Sequence, residues 1–180
     1  MLAPGPADVR FETKHAGTLK VRQNGELLEM DFPTLTAERC STFPDELGKA
    51  VGIQGRPSEI LEANKTWIAV LEDGRQIASA NPNLALLETL HPHAAAITAP
   101  GKNEDFVSRY FAPSYGIPED FVTGSLHCAL APYWSQRLRK SELHARQLSK
   151  RGGELWCEVA AERVRLKGKA ILTMQGTLTI

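Results

Sequence analysis

The chain has 180 residues, 42% of them hydrophobic, so it can bury a core and is not a disordered polymer. Lys plus Arg and Asp plus Glu each number 21, and the formal net charge of zero leaves no electrostatic footprint for nucleic acid or anionic membranes. Cys40, Cys128 and Cys157 form no C-x-x-C pair, which argues against a disulfide framework or zinc knuckle and fits a reducing cytosol.

The opening Met1-Leu-Ala-Pro-Gly-Pro-Ala-Asp8 lacks the basic and apolar regions of a secretory signal, and no apolar run approaches a membrane span. A soluble cytoplasmic protein is expected. Residues 9–13, 18–22 and 27–32 mostly alternate apolar and polar and predict three strands. Asn24-Gly25 is a hairpin signal between the last two. Pro44 to Val51 predicts a short helix, and Glu59 to Ala63 a further helical turn. Thr66 to Leu71 reads as a buried strand ending at Asp73-Gly74. Asn81-Pro82 opens a helix with Pro82 at its first position and Leu84, Leu87 and Leu90 on its apolar face.

Residues 94–99 and 106–112 predict two more strands. A central helix is expected from Thr123 or Ser125 towards Arg139, kinked or split by Pro132, which removes a hydrogen bond. From Leu155 to Ile180 the chain reads as strands broken at Gly168 and Gly176. The irregular mixing of strands and helices predicts an α+β fold with a mixed sheet.

The chemistry is densest over residues 119–128, where Asp120, Thr123, Gly124, Ser125 and His127 precede and enter an apolar helix. A hydrolase triad of Asp120, Ser125 and His127 needs serine to touch histidine, but side chains two apart on a helix diverge by about 200°. Alternatively, Thr123 or Ser125 caps the helix while N–H groups near Gly124 and Ser125 hold a carboxylate or enolate oxygen. Asp120 or His127 would then move a proton on the neighbouring carbon. The same residues also fit a helix cap, a turn aspartate and a core histidine with no chemistry at all. His91-Pro-His93 offers only two metal ligands and fits a solvated helix end, as Arg137-Leu-Arg-Lys140 does. Neither Gly52-Ile-Gln-Gly55 nor Arg151-Gly-Gly153 forms a phosphate loop. Cys128 sits in the apolar run and reads as buried and inert.

The segment Gly116-Ile-Pro-Glu-Asp-Phe-Val-Thr-Gly-Ser-Leu-His127, followed by Ala-Leu-Ala-Pro-Tyr-Trp134, resembles the hallmark of the phenazine-biosynthesis-like (PhzF-like) isomerase family. Ser108-Arg-Tyr-Phe-Ala-Pro113, Gln147-Leu-Ser-Lys-Arg-Gly-Gly-Glu-Leu155 and Gly176-Thr-Leu-Thr179 are similar to the same family, as are Phe11 to Leu19 and Glu29 to Pro33. The resemblance implies a diaminopimelate epimerase-like fold, in which each of two halves wraps a mixed sheet around a central helix. It further implies cofactor- and metal-free proton transfer on a small carboxylic acid. Asp120 and Ser125 would be catalytic, and Thr123, Gly124 and His127 would bind substrate, with Gly124 lending a backbone N–H.

Two departures stand out. Phe121 replaces the motif proline, and no C-G-H-A-T segment or preceding catalytic glutamate occurs in this sequence. The expected organisation is therefore remnant strands of an N-terminal half over 1–40, an epimerase-like domain over 41–168, and a final strand over 169–180 returning to the remnant. Self-association or a complementing chain is expected, because the first three strands have nothing to cover their apolar face. The competing expectation is a non-catalytic ligand- or protein-binding remnant.

Overall fold

The computed structural model describes residues 8–14 and 17–177. The first seven residues, whose composition argued against a signal, lie outside this range, as do Leu178 and Ile180 of the expected last strand. Strands β1 (Asp8–Thr13), β2 (Gly17–Asn24) and β3 (Leu27–Pro33) form an antiparallel meander. Asn24 pairs with Leu27, so Gly25 takes the first loop position, at φ +62°. That backbone region costs glycine nothing, which is why the Asn-Gly signal works here, one residue later than read.

The remaining elements are β4 (Glu38–Arg39), α1 (Leu47–Ala50), β5 (Glu59–Ala63), β6 (Thr66–Val70), α2 (Gly74–Ser79), α3 (Leu84–Glu88), β7 (Ala94–Pro100), β8 (Phe106–Phe111), α4 (Gly124–Leu138), β9 (Glu142–Gln147), β10 (Gly153–Ala160) and β11 (Arg163–Gly168). All strands join one mixed sheet in the order β1-β2-β3-β11-β10-β9-β8-β7-β6-β5-β4. Only β6–β7 and β8–β9 pair in parallel. The α+β class with a mixed sheet is thus the observed one. Two three-stranded meanders, β1-β2-β3 and β9-β10-β11, meet at the β3–β11 ladder. Strand β8 flanks the outer side of β9, whereas β1 has no strand on its outer side among the described residues.

Helix α4 presents Leu126, Ala129, Leu130 and Trp134 to a core that strands β5 to β11 all enter. Helices α1 to α3 cover the opposite face of β5 to β8 through Leu47, Ile77 and Leu87. Successive residues alternate between the layers: Ile68 and Val70 face α4, while Ala69 and Leu71 face α1 to α3. Each fully buried leucine or isoleucine contributes about 1.5–3 kcal/mol relative to exposure. Burial on both faces explains why β7 reads as the unbroken small apolar run Ala94 to Ala99. Trp134 reaches through the layer to donate its indole N–H to Thr98 Oγ1 (3.0 Å), and Thr98 donates to the Val107 carbonyl (2.9 Å).

Several expectations need correction. Glu59 to Ala63 is a strand, because Ile60 enters one core layer and Leu61 the other. Asp73-Gly74 does more than end a strand: Asp73 caps α2, accepting from the Arg75 N–H (2.8 Å), while Gln76 reaches back to the Asp73 N–H (3.3 Å). Helix α3 starts at Leu84, because the Asn83 side chain caps it, and Leu84 stays exposed. Strand β9 was not read from the sequence. Residues 169–177 join no strand, so the expected return over that stretch is absent.

Pro132 does not split α4, which runs from Gly124 to Leu138 without a break. Proline has no N–H for the Cys128 carbonyl, and the Leu35 N–H bonds that carbonyl instead at 3.0 Å. The missing helical bond thereby anchors the segment that follows β3.

Candidate active site at the start of helix α4

After β8 the chain turns through Pro113–Tyr115, and Gly116 takes φ +78°. Glu119 is clamped by Arg109 in two bonds of 2.6 and 3.1 Å, and Arg109 also donates to the Ala80 carbonyl (2.7 Å) behind α2. The Asp120 N–H donates to the Tyr110 carbonyl at 3.0 Å. Asp120 is therefore delivered by a loop fixed on both sides, and its entropy is largely spent in folding.

Thr123 holds the N-cap position of α4 in an extended backbone, but its side chain caps nothing. Its hydroxyl donates instead to Asp120 Oδ2 at 2.6 Å. Among the described residues no hydrogen bond reaches the N–H groups of Gly124, Ser125 or Leu126. The first turn of a fifteen-residue helix is thus left with free donors and the positive end of its dipole. Ser125 is exposed, whereas His127 has no accessible surface, and no hydrogen bond joins them. The serine–histidine contact of a hydrolase triad is not made.

His127 was read as a substrate-binding residue; the structure places it in the core, against the Phe106 ring at 5.8 Å between centroids. Its Nδ1 lies 2.8 Å from the Thr123 carbonyl. A carbonyl only accepts, so Nδ1 carries the proton and the unpartnered Nε2 is bare. Burial drives the imidazole down to about 4, against a smaller upward pull from the Thr123 carbonyl.

Asp120 lines an open cleft of about 870 Å³ with Phe121, Val122, Arg151 and the segment after β11. The other four predicted site residues do not line it. Phe121, standing where the motif has proline, lies under the Arg151 guanidinium (5.2 Å), and its carbonyl accepts from Ser149 (2.8 Å). One participant was missed. Gln147, the last residue of β9, is fully buried and bonds both Thr123 and the Asp120 backbone. In the sequence it stands only as the first residue of the family-like segment Gln147 to Leu155 and as a lone amide on the buried face of Leu143-x-Ala145-x-Gln147, with no role assigned.

His93 bonds Glu62 at 3.0 Å and stacks on Trp67. Among the described residues no three His, Cys, Asp or Glu side chains converge as a metal site. None of the described helices is long and apolar enough to cross a membrane.

A mixed-sheet α+β domain with a carboxylate beside an uncapped helix N-terminus defines the class. The pattern of the family described as "Phenazine biosynthesis-like protein" matches residues 2–176, and the chain belongs to that family. It is 46% identical over 170 residues to an uncharacterized isomerase of Pseudomonas aeruginosa, covering 94% of this chain and 64% of the relative. An uncharacterized isomerase of Halalkalibacterium halodurans is 35% identical over 174 residues, with coverage of 96% and 64%. Among solved structures, a PhzF family protein of Enterococcus faecalis superimposes with a TM-score of 0.85 at 35% identity, covering 97% of this chain and 65% of that one. A PhzC/PhzF protein of Clostridium difficile gives 0.82 at 39% identity, with coverage of 96% and 65%. The chain thus spans slightly less than two thirds of each of these four relatives.

Proposed function

We propose that this chain carries the C-terminal portion of a cofactor-independent isomerase that moves a proton on a small carboxylic acid in the cytoplasm. The observation that carries the reading is Asp120, a residue that lines a cleft and whose carboxylate accepts from the Thr123 hydroxyl at the donor-rich start of α4. Asp120 is the proton-transfer group. Free N–H groups at Gly124 and Ser125 suit a substrate carboxylate or the enolate oxygen formed when a neighbouring proton leaves. Ser125, exposed beside them, offers a hydroxyl to the same oxygens. Thr123 acts through Asp120, and His127 acts from below by holding the Thr123 carbonyl. Three free cysteines fit a reducing compartment. The relatives named as isomerases support the reaction class.

The test is solvent-proton exchange. Small carboxylic acids are incubated with the protein in deuterated water, and loss of the carbon-bound proton is followed by NMR. Asp120→Asn is expected to slow exchange by about a hundredfold or more while melting is unchanged. Exchange that survives in Asp120→Asn would remove Asp120 from the mechanism. A second reading is a non-catalytic ligand- or protein-binding remnant of the family. It predicts ligand or partner binding that Asp120→Asn leaves intact.

A further inference from the structure

The Thr123 hydroxyl has one proton and two neighbours, and the structure says which neighbour receives it. Gln147 Oε1 accepts the Thr123 N–H at 2.9 Å. Gln147 Nε2 donates to the Asp120 carbonyl at 2.8 Å and to Thr123 Oγ1 at 3.1 Å. This amide orientation is forced. Turning it over would set an NH2 group against the Thr123 N–H and an oxygen against the Asp120 carbonyl. Both amide protons and the carbonyl are used, which is how a polar side chain with no accessible surface is accommodated. Because Thr123 Oγ1 already accepts from Gln147, its own proton goes to Asp120 Oδ2, 2.6 Å away.

We infer that Gln147 is a positioning residue: its buried carboxamide sets the direction of the Thr123 hydroxyl and fixes the Asp120 backbone, and so holds the Asp120 carboxylate in place. The inference rests on Asp120 being the proton-transfer group. Gln147 touches no open surface and acts only through Thr123 and Asp120. It also joins β9 to the site loop across 24 to 27 residues of sequence, so strand and loop are set as one unit.

The test uses the whole chain, labelled with 15N, as unaltered protein, Gln147→Glu and Gln147→Met. Glutamate keeps an oxygen for the Thr123 N–H and leaves at most one donor, its carboxyl proton, where the amide had two, whereas methionine deletes all three bonds at similar volume. Amide hydrogen exchange is read at Thr123 and, as buried references, at Ile68 and Ile97. In Gln147→Met the Thr123 amide is expected to exchange about tenfold faster or more, with the references within about twofold. In Gln147→Glu the Thr123 amide stays slow.

In the proton-exchange assay kcat falls by roughly tenfold or more in both variants, with KM within about threefold, because positioning acts on the transition state. A residue that only fills space would accelerate Thr123, Ile68 and Ile97 by one common factor, and that result overturns the inference. So does unchanged kcat in a folded Gln147→Met. If Gln147→Glu fails to fold, Gln147→Met carries both readouts. Absence of exchange in the unaltered protein would instead sink the isomerase reading, and the amide comparison would still decide what Gln147 does.

Discussion

His127 is neutral in the folded chain because burial holds its imidazole at about 4, below the ordinary 6.5. The unfolded chain takes up a proton near 6.5 and the folded chain resists until about 4, so the contribution is complete above the first value and shrinks as pH falls towards the second. Its size over that window is on the order of 3 kcal/mol. Urea unfolding is expected to lose roughly 2–3 kcal/mol between pH 7.5 and pH 4.5, and His127→Phe is expected to remove most of that loss. An equal acid slope in His127→Phe would assign the loss to other groups. At this scale, Asp120, Thr123, Gly124, Ser125 and His127 were legible as a cluster because they are contiguous. What each side chain faces was not. A stretch entering a helix does not say that Ser125 meets solvent while His127 meets Phe106. The role of Gln147, named only within a family-like segment, was hidden for the same reason, since its partners lie 24 and 27 residues away.

At the scale of elements, strands with clear alternation and long apolar runs were readable, as was α4. Glu59 to Ala63 misled because Glu, Leu and Ala favour helices, and pairing with β6 overrode that local preference. Helix α2 hid behind Asp73-Gly74, which serves equally as a turn or as a cap. Between α4 and β7, the Trp134–Thr98 bond gives a direct test of packing. Thr98→Val keeps the shape but strands a buried indole N–H, and is expected to cost about 1–3 kcal/mol in chemical denaturation. Adding Trp134→Phe should cost less in the Thr98→Val background than in the unaltered protein, since the bond is already gone. Additive losses would show that the bond contributes nothing. Pro132 illustrates the limit of local rules: the sequence predicts a broken helix, yet the freed Cys128 carbonyl finds the Leu35 N–H.

For the whole molecule, the fold class could be read because element mixing reports it, but the order of strands could not. The β3–β11 pairing unites residues at least 130 apart, such as Arg163 and Pro33, and the Arg163–Asp31 ion pair spans 132. Val9 and Phe11, two apart on one face of β1, are 41% and 52% exposed, and Ile171 and Met174 are more so. Exposed apolar edges of this kind favour association. A polypeptide of these 180 residues is expected to sediment with a concentration-dependent mass, and Phe11→Lys to reduce it. A single monomeric species across the range would count against that expectation.

The β3–β11 ladder also sets a schedule. During synthesis β3 leaves the ribosome long before β11 is translated. At ordinary elongation rates of about 5–20 residues per second, the interval is roughly ten seconds. Throughout it, the first meander lacks the neighbour that will hold it, while the elements from β4 to β10, α4 among them, are made in between. The earliest part of the described chain to be made is therefore among the last to be secured, and a chaperone that recognises bare strands would find them in β1 to β3 during that interval.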